Sequence, residues 1–187
     1  MKHKSKSVRE PGDARTRRTR TRIDAAFVDL LHRRAYESIR VSDIARKARI
    51  GRATFYAHYD SKDALLRSQF SRVVEPMIVL RPADPCPFDC TALFSHVLSA
   101  RRLYRSLAGA RVIRECFEHC MRTLLEECSL QLSVPVPAVS RLVASSLHSF
   151  VDWWLEHEAD GSAERMQLTW SAIVGGGLGG IRSAGKS

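Results

Sequence analysis

The sequence predicts an all-α protein, a helix-turn-helix head followed by a helical body, and three observations carry that reading. Apolar residues recur at helical spacing in nearly every stretch between breakers, no stretch alternates in the manner of a half-buried strand, and the excess positive charge is confined to one end. Up to residue 70 there are 18 Lys and Arg against 8 Asp and Glu, whereas the remainder holds 12 of each, so the whole net charge of +10 belongs to the first third. A basic domain joined to a neutral one is the electrostatic footprint of a nucleic-acid-binding protein. A basic membrane-surface segment or a non-specific architectural DNA binder would share that footprint, so the motif has to decide.

Residues 1–14 show no periodic apolar pattern and are expected to form a disordered basic tail. The first helix follows the arginine-rich run 15–22 and places Ile23, Ala26, Phe27, Leu30 and Leu31 at the i, i+3, i+4, i+7, i+8 spacing of a packed face. The second helix starts at about Ser42, taken as its N-cap, and buries Ile44, Ala45 and Ala48. A tight turn at Arg49-Ile50-Gly51 leads to a third helix, Arg52 to His58. Seven residues cannot hold a helix alone, so Phe55 must anchor it on the first two. Ser61 caps a fourth helix that continues through Leu65, Phe70 and Val73.

Prolines at 82, 85 and 87 make the next segment a loop or domain junction. Beyond it, Phe88 to Leu98 and Arg101 to Leu107 are short helices. Arg111 to Leu130 carries Ile113, Cys116, Phe117, Cys120, Met121, Leu124, Leu125 and Cys128 on one stripe. A long helix from Pro137 and a last one from Ser162 to about Leu178 complete the body, and the glycine-rich end from Gly175 is expected to fray. The expected domains are therefore 1–14 (tail), 15–70 (DNA-binding), 71–180 (effector-binding and dimerisation) and 181–187 (tail).

Several functional classes are disfavoured. There is no run of about 18 apolar residues for a membrane span, and Met1 to Arg9 lacks the apolar stretch of a secretory leader, so a cytoplasmic protein with no membrane partner is expected. Five cysteines are an odd number for a disulfide framework. No phosphate-binding loop, nucleophile elbow or H-E-x-x-H pair occurs, so no enzyme is expected. Cys116, His119 and Cys120 lie within little more than a turn and offer soft-metal ligands, but both cysteines coincide with an apolar stripe where free thiols act as small hydrophobes. No metal and no cofactor is assigned, and metal or redox sensing by these three residues stays open.

The run Ala53-Thr-Phe-Tyr-Ala-His-Tyr-Asp-Ser-Lys62, with Asp43-Ile-Ala45 before it and Leu65-Leu66 after it, resembles the signature of the tetracycline-repressor (TetR) family of bacterial regulators over residues 20–70. The resemblance implies a homodimer on double-stranded DNA, each subunit placing its third helix in a major groove of a palindromic operator. Carried over residue by residue, Arg52, Ala53 and Thr54 face bases, Tyr56, His58 and Lys62 contact phosphates, and Ser42 is a further DNA contact. Phe55 belongs to the core, and Tyr59 sits there with its hydroxyl at the rim. Arg18, Arg20 and Arg22 of the basic lead-in are expected to add backbone contacts. Three residues depart from the family pattern: Arg40 removes a side-chain cap, Arg49 stands where a left-handed residue is needed, and Gly51 is a weak cap for the third helix.

In the body, Arg101-Arg-Leu-Tyr-Arg-Ser-Leu107 and Phe150-Val-Asp-Trp-Trp-Leu-Glu-His157 resemble the subgroup typified by a regulator of dihydroxyacetone kinase. The architecture implies a small-molecule effector in a pocket among the central helices, with Phe94, Leu98, Leu103, Tyr104, Phe117, Met121 and Trp153 as candidate lining. It also implies dimerisation through the last two helices, with Leu147, Phe150, Val151, Trp154, Trp170, Ile173 and Val174 as the candidate interface.

Overall fold

The fold is that of a computed structural model, which describes residues 11–127, 132–157 and 161–180. The expected tail up to residue 10, Cys128 with the end of its predicted helix, and the final tail 181–187 lie outside the described residues. Among those described, nine α-helices account for almost all regular structure: α1 Pro11–Leu31, α2 Val41–Lys47, α3 Arg52–Tyr56, α4 Lys62–Val73, α5 Thr91–Ser99, α6 Arg101–Leu107, α7 Arg111–Glu127, α8 Val136–Glu156 and α9 Ala163–Gly179. No helix among them is long and apolar enough to cross a membrane.

Helix α1 begins earlier than the apolar pattern suggests, so residues 11–14 of the expected tail are helical. Its first half is polar all round, and threonine hydroxyls are satisfied within the helix: Thr19 donates to the Arg15 carbonyl at 3.1 Å and Thr21 to the Arg17 carbonyl at 3.0 Å. Its second half buries Ile23, Ala26, Phe27 and Leu31.

Ser42 is not the cap of α2. Arg40 occupies that position in extended conformation, and its backbone N–H donates to the Asp43 carboxylate at 3.1 Å, which leaves Ser42 exposed in the first turn. The carboxylate three residues beyond the cap thus closes the start of the helix by taking the N–H of the cap residue. Arg34 and Arg46, 3.3 and 2.7 Å away, flank the same carboxylate.

The C-terminus of α2 closes in a Schellman motif. The Ile50 N–H donates to the Ala45 carbonyl at 3.0 Å, the Arg49 N–H to the Arg46 carbonyl at 3.1 Å, and Arg49 takes a φ of 53°. Arg49 therefore occupies the left-handed position that a glycine fills at lowest cost, as its place in the sequence implied. Gly51, at φ −71°, needs no glycine for conformational reasons. Helix α3 is five residues long, and His58 follows it in a turn closed on the Phe55 carbonyl. Ser61 caps α4 as expected, its hydroxyl accepting from the Ala64 N–H at 3.0 Å.

Two segments of the body differ from the sequence reading. The proline-rich junction is bracketed by an antiparallel pair of two-residue strands, β1 Val79–Leu80 and β2 Phe88–Asp89, too short to leave an alternating signature. This ribbon is pinned to α9 by one side chain: the Gln167 carbonyl oxygen accepts from the Cys90 N–H at 2.8 Å and its amide donates to the Phe88 carbonyl at 2.9 Å. The glycine-rich segment from Gly175 is helical to Gly179 rather than frayed. Gly175 lies so close to Pro85 and Cys86 that an added Cβ would come within 3.3 Å of the Cys86 nitrogen, so the missing side chain admits the loop that holds the helix end. One continuous apolar core runs from Ile23 in α1 to Leu178 in α9.

The turn's backbone makes a direct prediction. Arg49→Gly should stabilise the protein by about 1 kcal/mol through relief of the left-handed strain, read as a raised urea midpoint; an unchanged or lowered midpoint would refute strain at this position.

Candidate nucleic-acid interface

Helix α3 is held from beneath and open above. Phe55 is fully buried, its ring edge-on to Tyr56 at 5.6 Å and tilted against Tyr59 at 6.0 Å, while Ile44 and Ala45 of α2 are buried alongside. The outward side presents Arg52, Ala53, Thr54 and Tyr56, all exposed, Tyr56 at 45%, with His58 half-buried just after. An exposed guanidinium and hydroxyl at the first turn of a short helix, backed by a rigid apolar floor, is a surface able to meet base edges and phosphate oxygens.

Two predicted phosphate contacts are engaged inside the head. Arg22 reaches across to α2, where its guanidinium donates to the Ala48 carbonyl at 2.5 Å and the Arg49 carbonyl at 2.8 Å. It satisfies carbonyls left over at the helix end and fixes the turn from outside, so it is a structural cap. The ammonium of Lys62 donates to the Tyr36 carbonyl at 2.8 Å and lies 3.9 Å over the Tyr36 ring, where burial lowers its pKa. Lys62 thus ties α4 to the turn before α2. Arg20 stands 5.8 Å over the Tyr59 ring, while Arg18 and Ser42 are exposed.

A polar network absent from the sequence reading locks these parts together. Asp24 of α1 accepts from the Tyr59 hydroxyl at 3.0 Å and from Arg72 of α4 at 2.6 Å. The Tyr36 hydroxyl donates to the Asp63 carboxylate, and Lys47 meets Asp29 at 2.6 Å. Burial, aided by Asp63, pushes the Tyr36 hydroxyl far above its ordinary pKa, so it remains a donor at any working pH. These partners are separated by 18 to 48 residues in the chain, which is why helical periodicity gave no sign of them.

A partly open cavity of about 180 Å³ lies between α1, α4, α6 and α7. Of the residues expected to line an effector pocket, Leu103, Tyr104 and Phe117 do so. Phe94 and Met121 are instead fully buried core, Leu98 packs on that core, and Trp153 is 49% exposed, stacked on His157 at 4.8 Å. Half of the wall comes from the head side, Phe27, Val28 and Leu31 of α1 with Leu66, Gln69, Phe70 and Val73 of α4, and Val74, His96, Leu107 and Ile113 complete it. Gln69 was missed, although a glutamine on the i, i+3, i+4, i+7 stripe of Leu66, Phe70 and Val73 is a readable anomaly. Its amide nitrogen is buried and has no hydrogen-bond partner among the described residues, a condition that costs roughly 1–3 kcal/mol.

The cysteines and the expected dimer residues fall mostly inside one subunit. Cys86, Cys90, Cys116 and Cys120 are buried and free, and burial raises their pKa values, to about 11 for Cys116 and about 12 for Cys120. His119 points away from them to solvent, 3.1 Å from Arg122, and no group of three metal-ligating side chains occurs among the described residues. Leu147, Val151, Trp154, Trp170 and Val174 are buried within the protomer and Phe150 is partly so. Ile173 alone of that set is widely exposed, at 64%, together with Leu142 at 69% and Leu168 at 72%. The apolar residues of α8 and α9 divide between a wider stripe that packs inward and a narrower face that looks out.

The two arginines of α1 should separate on mutation. Arg22→Ala is expected to lower stability by about 1 kcal/mol, because the charged hydrogen bonds it removes are partly solvent-exposed. Arg18→Ala should leave the urea midpoint unchanged and reduce DNA affinity with a smaller salt slope. Equal midpoints for both variants would refute the capping role of Arg22.

Residues 23–68 match the family described as bacterial regulatory proteins, tetR family. Over 61 residues the chain is 46% identical to the uncharacterized HTH-type transcriptional regulator YxbF of Bacillus subtilis (strain 168); the match takes in 32% of this chain and 16% of that relative's length. Among solved structures, a TetR transcriptional regulator from Streptococcus agalactiae 2603V superposes with a TM-score of 0.61 at 22% identity, covering 87% of this chain and 97% of the other. The dihydroxyacetone kinase operon activator DhaS gives 0.55 at 19%, covering 88% and 98%. NalD, the secondary repressor of the MexAB-OprM multidrug efflux pump in Pseudomonas aeruginosa, gives 0.56 at 19%, covering 90% and 100%. The head built on Phe55, Arg52 and the α2–α3 turn is thus the part of the chain that matches the tetR family, and the whole chain has the all-α fold of those structures.

Proposed function

We propose that the chain is a homodimeric, sequence-specific DNA-binding repressor released from its operator by a small molecule bound in the α1–α4–α6–α7 cavity. The observation that carries this reading is the outward face of α3, Arg52 to Tyr56, set on a buried Phe55 at the end of the chain that holds all the net positive charge. Arg52 and Thr54 would read base edges with Ala53 against the groove floor, Tyr56 and His58 would hold phosphates, and Ser42 and Arg18 would add flanking contacts. Such a protein would act on DNA in the bacterial cytoplasm.

The dimer reading rests on the exposed face of α8 and α9. Leu168, Ala172, Ile173 and Gly176 share one side of α9, and Leu142 joins Ile173 in a shallow apolar groove with Gly177. Small residues beside exposed large ones would let the same two helices of a second copy approach closely, giving a four-helix bundle. The repressor reading follows NalD, a repressor that shares the fold; DhaS, an activator, shares it equally, so the reporter measurement below decides the sign. The release mechanism is supported by the cavity wall itself, since α1 and α4 belong to the head and line it.

Selection of bound duplexes from a random pool should enrich a palindrome whose half-sites lie about one helical turn apart. Equal affinity for every duplex would contradict the reading. On the enriched site, Arg52→Ala should cost about 1–3 kcal/mol and relax base preference at one position per half-site. Ile173→Glu should shift sedimentation from dimer to monomer and lower operator affinity; a dimer that persists would move the interface elsewhere. In a reporter strain carrying that operator, repression requires the signal to fall when the chain is expressed, and a rising signal would make it an activator.

A further inference from the structure

The chemistry of the cavity wall narrows what can occupy it, given the reading of this cavity as the effector site. None of the lining side chains is charged. An ion entering it would lose its hydration with no counter-charge in return, which excludes carboxylates and amines far more strongly than neutral molecules. The polar groups on the wall are few: Gln69, and the pair His96 and Tyr104, whose Nδ1 and hydroxyl lie 2.7 Å apart. Within that pair Nδ1 and the hydroxyl satisfy each other. Burial lowers the His96 pKa and raises that of Tyr104, so both stay neutral near pH 7.

Gln69 differs from the pair in that its buried amide nitrogen has no partner among the described residues. It is a donor waiting for an acceptor on a wall that is otherwise apolar. The volume sets the scale of what could bring that acceptor. A cavity of about 180 Å³ is slightly larger than the roughly 150 Å³ that accommodates a benzene molecule in a dry protein interior. Phe70 and Phe117, edge-on at 4.8 Å, and Phe27 supply aromatic surface on which a flat ring can pack.

We propose that the cavity binds a neutral molecule about the size of a monosubstituted benzene ring, bearing one oxygen acceptor that the Gln69 amide meets. A carbonyl next to the ring satisfies all three requirements of size, neutrality and a single acceptor. Gln69 is then a specificity-determining residue of the pocket, because it brings the unpartnered buried donor to a wall whose other contacts are mostly shape and apolar area.

Three probes of one shape separate these requirements: acetophenone, isopropylbenzene, which replaces the carbonyl oxygen with a methyl group, and benzoate, which replaces the methyl with a charged oxygen. Binding to the full chain is measured by titration calorimetry and by the rise in Tm. Acetophenone and isopropylbenzene are expected to bind and benzoate to show no binding. Gln69→Leu should weaken acetophenone about tenfold while leaving isopropylbenzene within about twofold. Retained isopropylbenzene binding shows that the variant is folded, and Gln69→Met serves as the second variant if the leucine is not accommodated. The proposal is overturned if benzoate binds as well as acetophenone, if neither neutral probe binds, or if the Gln69 variants affect both neutral probes alike. Operator affinity measured with saturating acetophenone is a separate readout. Binding without operator release supports the pocket chemistry and removes the effector reading, whereas benzoate binding with release does the reverse.

Discussion

The burial of α4 on both of its sides is the constraint on which the rest of the molecule depends. Leu65, Leu66 and Phe70 are buried in a core that is continuous from the head into the body. Toward the head, α4 is tied by Arg72 to Asp24 and by Lys62 to the Tyr36 carbonyl. Toward the body, Phe70 meets Phe117 edge-on and Arg67 meets Glu115 at 2.6 Å. A helix fixed in this way cannot shift against α7 without disturbing α1 and the turn after α3. The close-packed contacts that α4 makes on both sides transmit such a shift.

The DNA-facing surface is stable for reasons that lie beneath and behind it. A five-residue helix has too few internal hydrogen bonds to persist alone, so α3 depends on Phe55 below and on the geometry of the turn that delivers it. That turn holds a non-glycine residue in a left-handed conformation, and Arg22 of α1 braces the same carbonyls from outside. The strain at Arg49 and the brace at Arg22 belong together: the second stabilises the backbone state that the first makes costly. Of the basic residues of α1, Arg22 shapes the head and Arg18 is exposed.

The helices were legible in the sequence because their burial is periodic, and α6, α4 with its Ser61 cap, and the apolar stripes of α1 and α7 follow directly from spacing. The motif from Ala53 to Lys62 identified the head. What could not be read was set by partners distant in the chain. The Asp43 cap, the Arg22 brace and the Asp24–Tyr59–Arg72 network depend on side-chain direction in three dimensions. The two-residue strands are too short to alternate, and the helical glycine segment is held by a loop ninety residues earlier that needs the absent Cβ of Gly175. Among pocket residues, periodicity identified which side chains face inward but not which of them border a void. For α8 and α9 it found the inward stripe and assigned it to the dimer, since both kinds of burial leave the same pattern.

The central claim is that one packed element serves both the DNA-facing head and the cavity, and linkage tests it most directly. Acetophenone affinity is measured with and without saturating operator duplex, and operator affinity with and without saturating acetophenone. The account requires both affinities to fall, and by the same factor, because the coupling free energy between two sites is reciprocal. Acetophenone that binds with unchanged affinity whether or not the operator is present would contradict it.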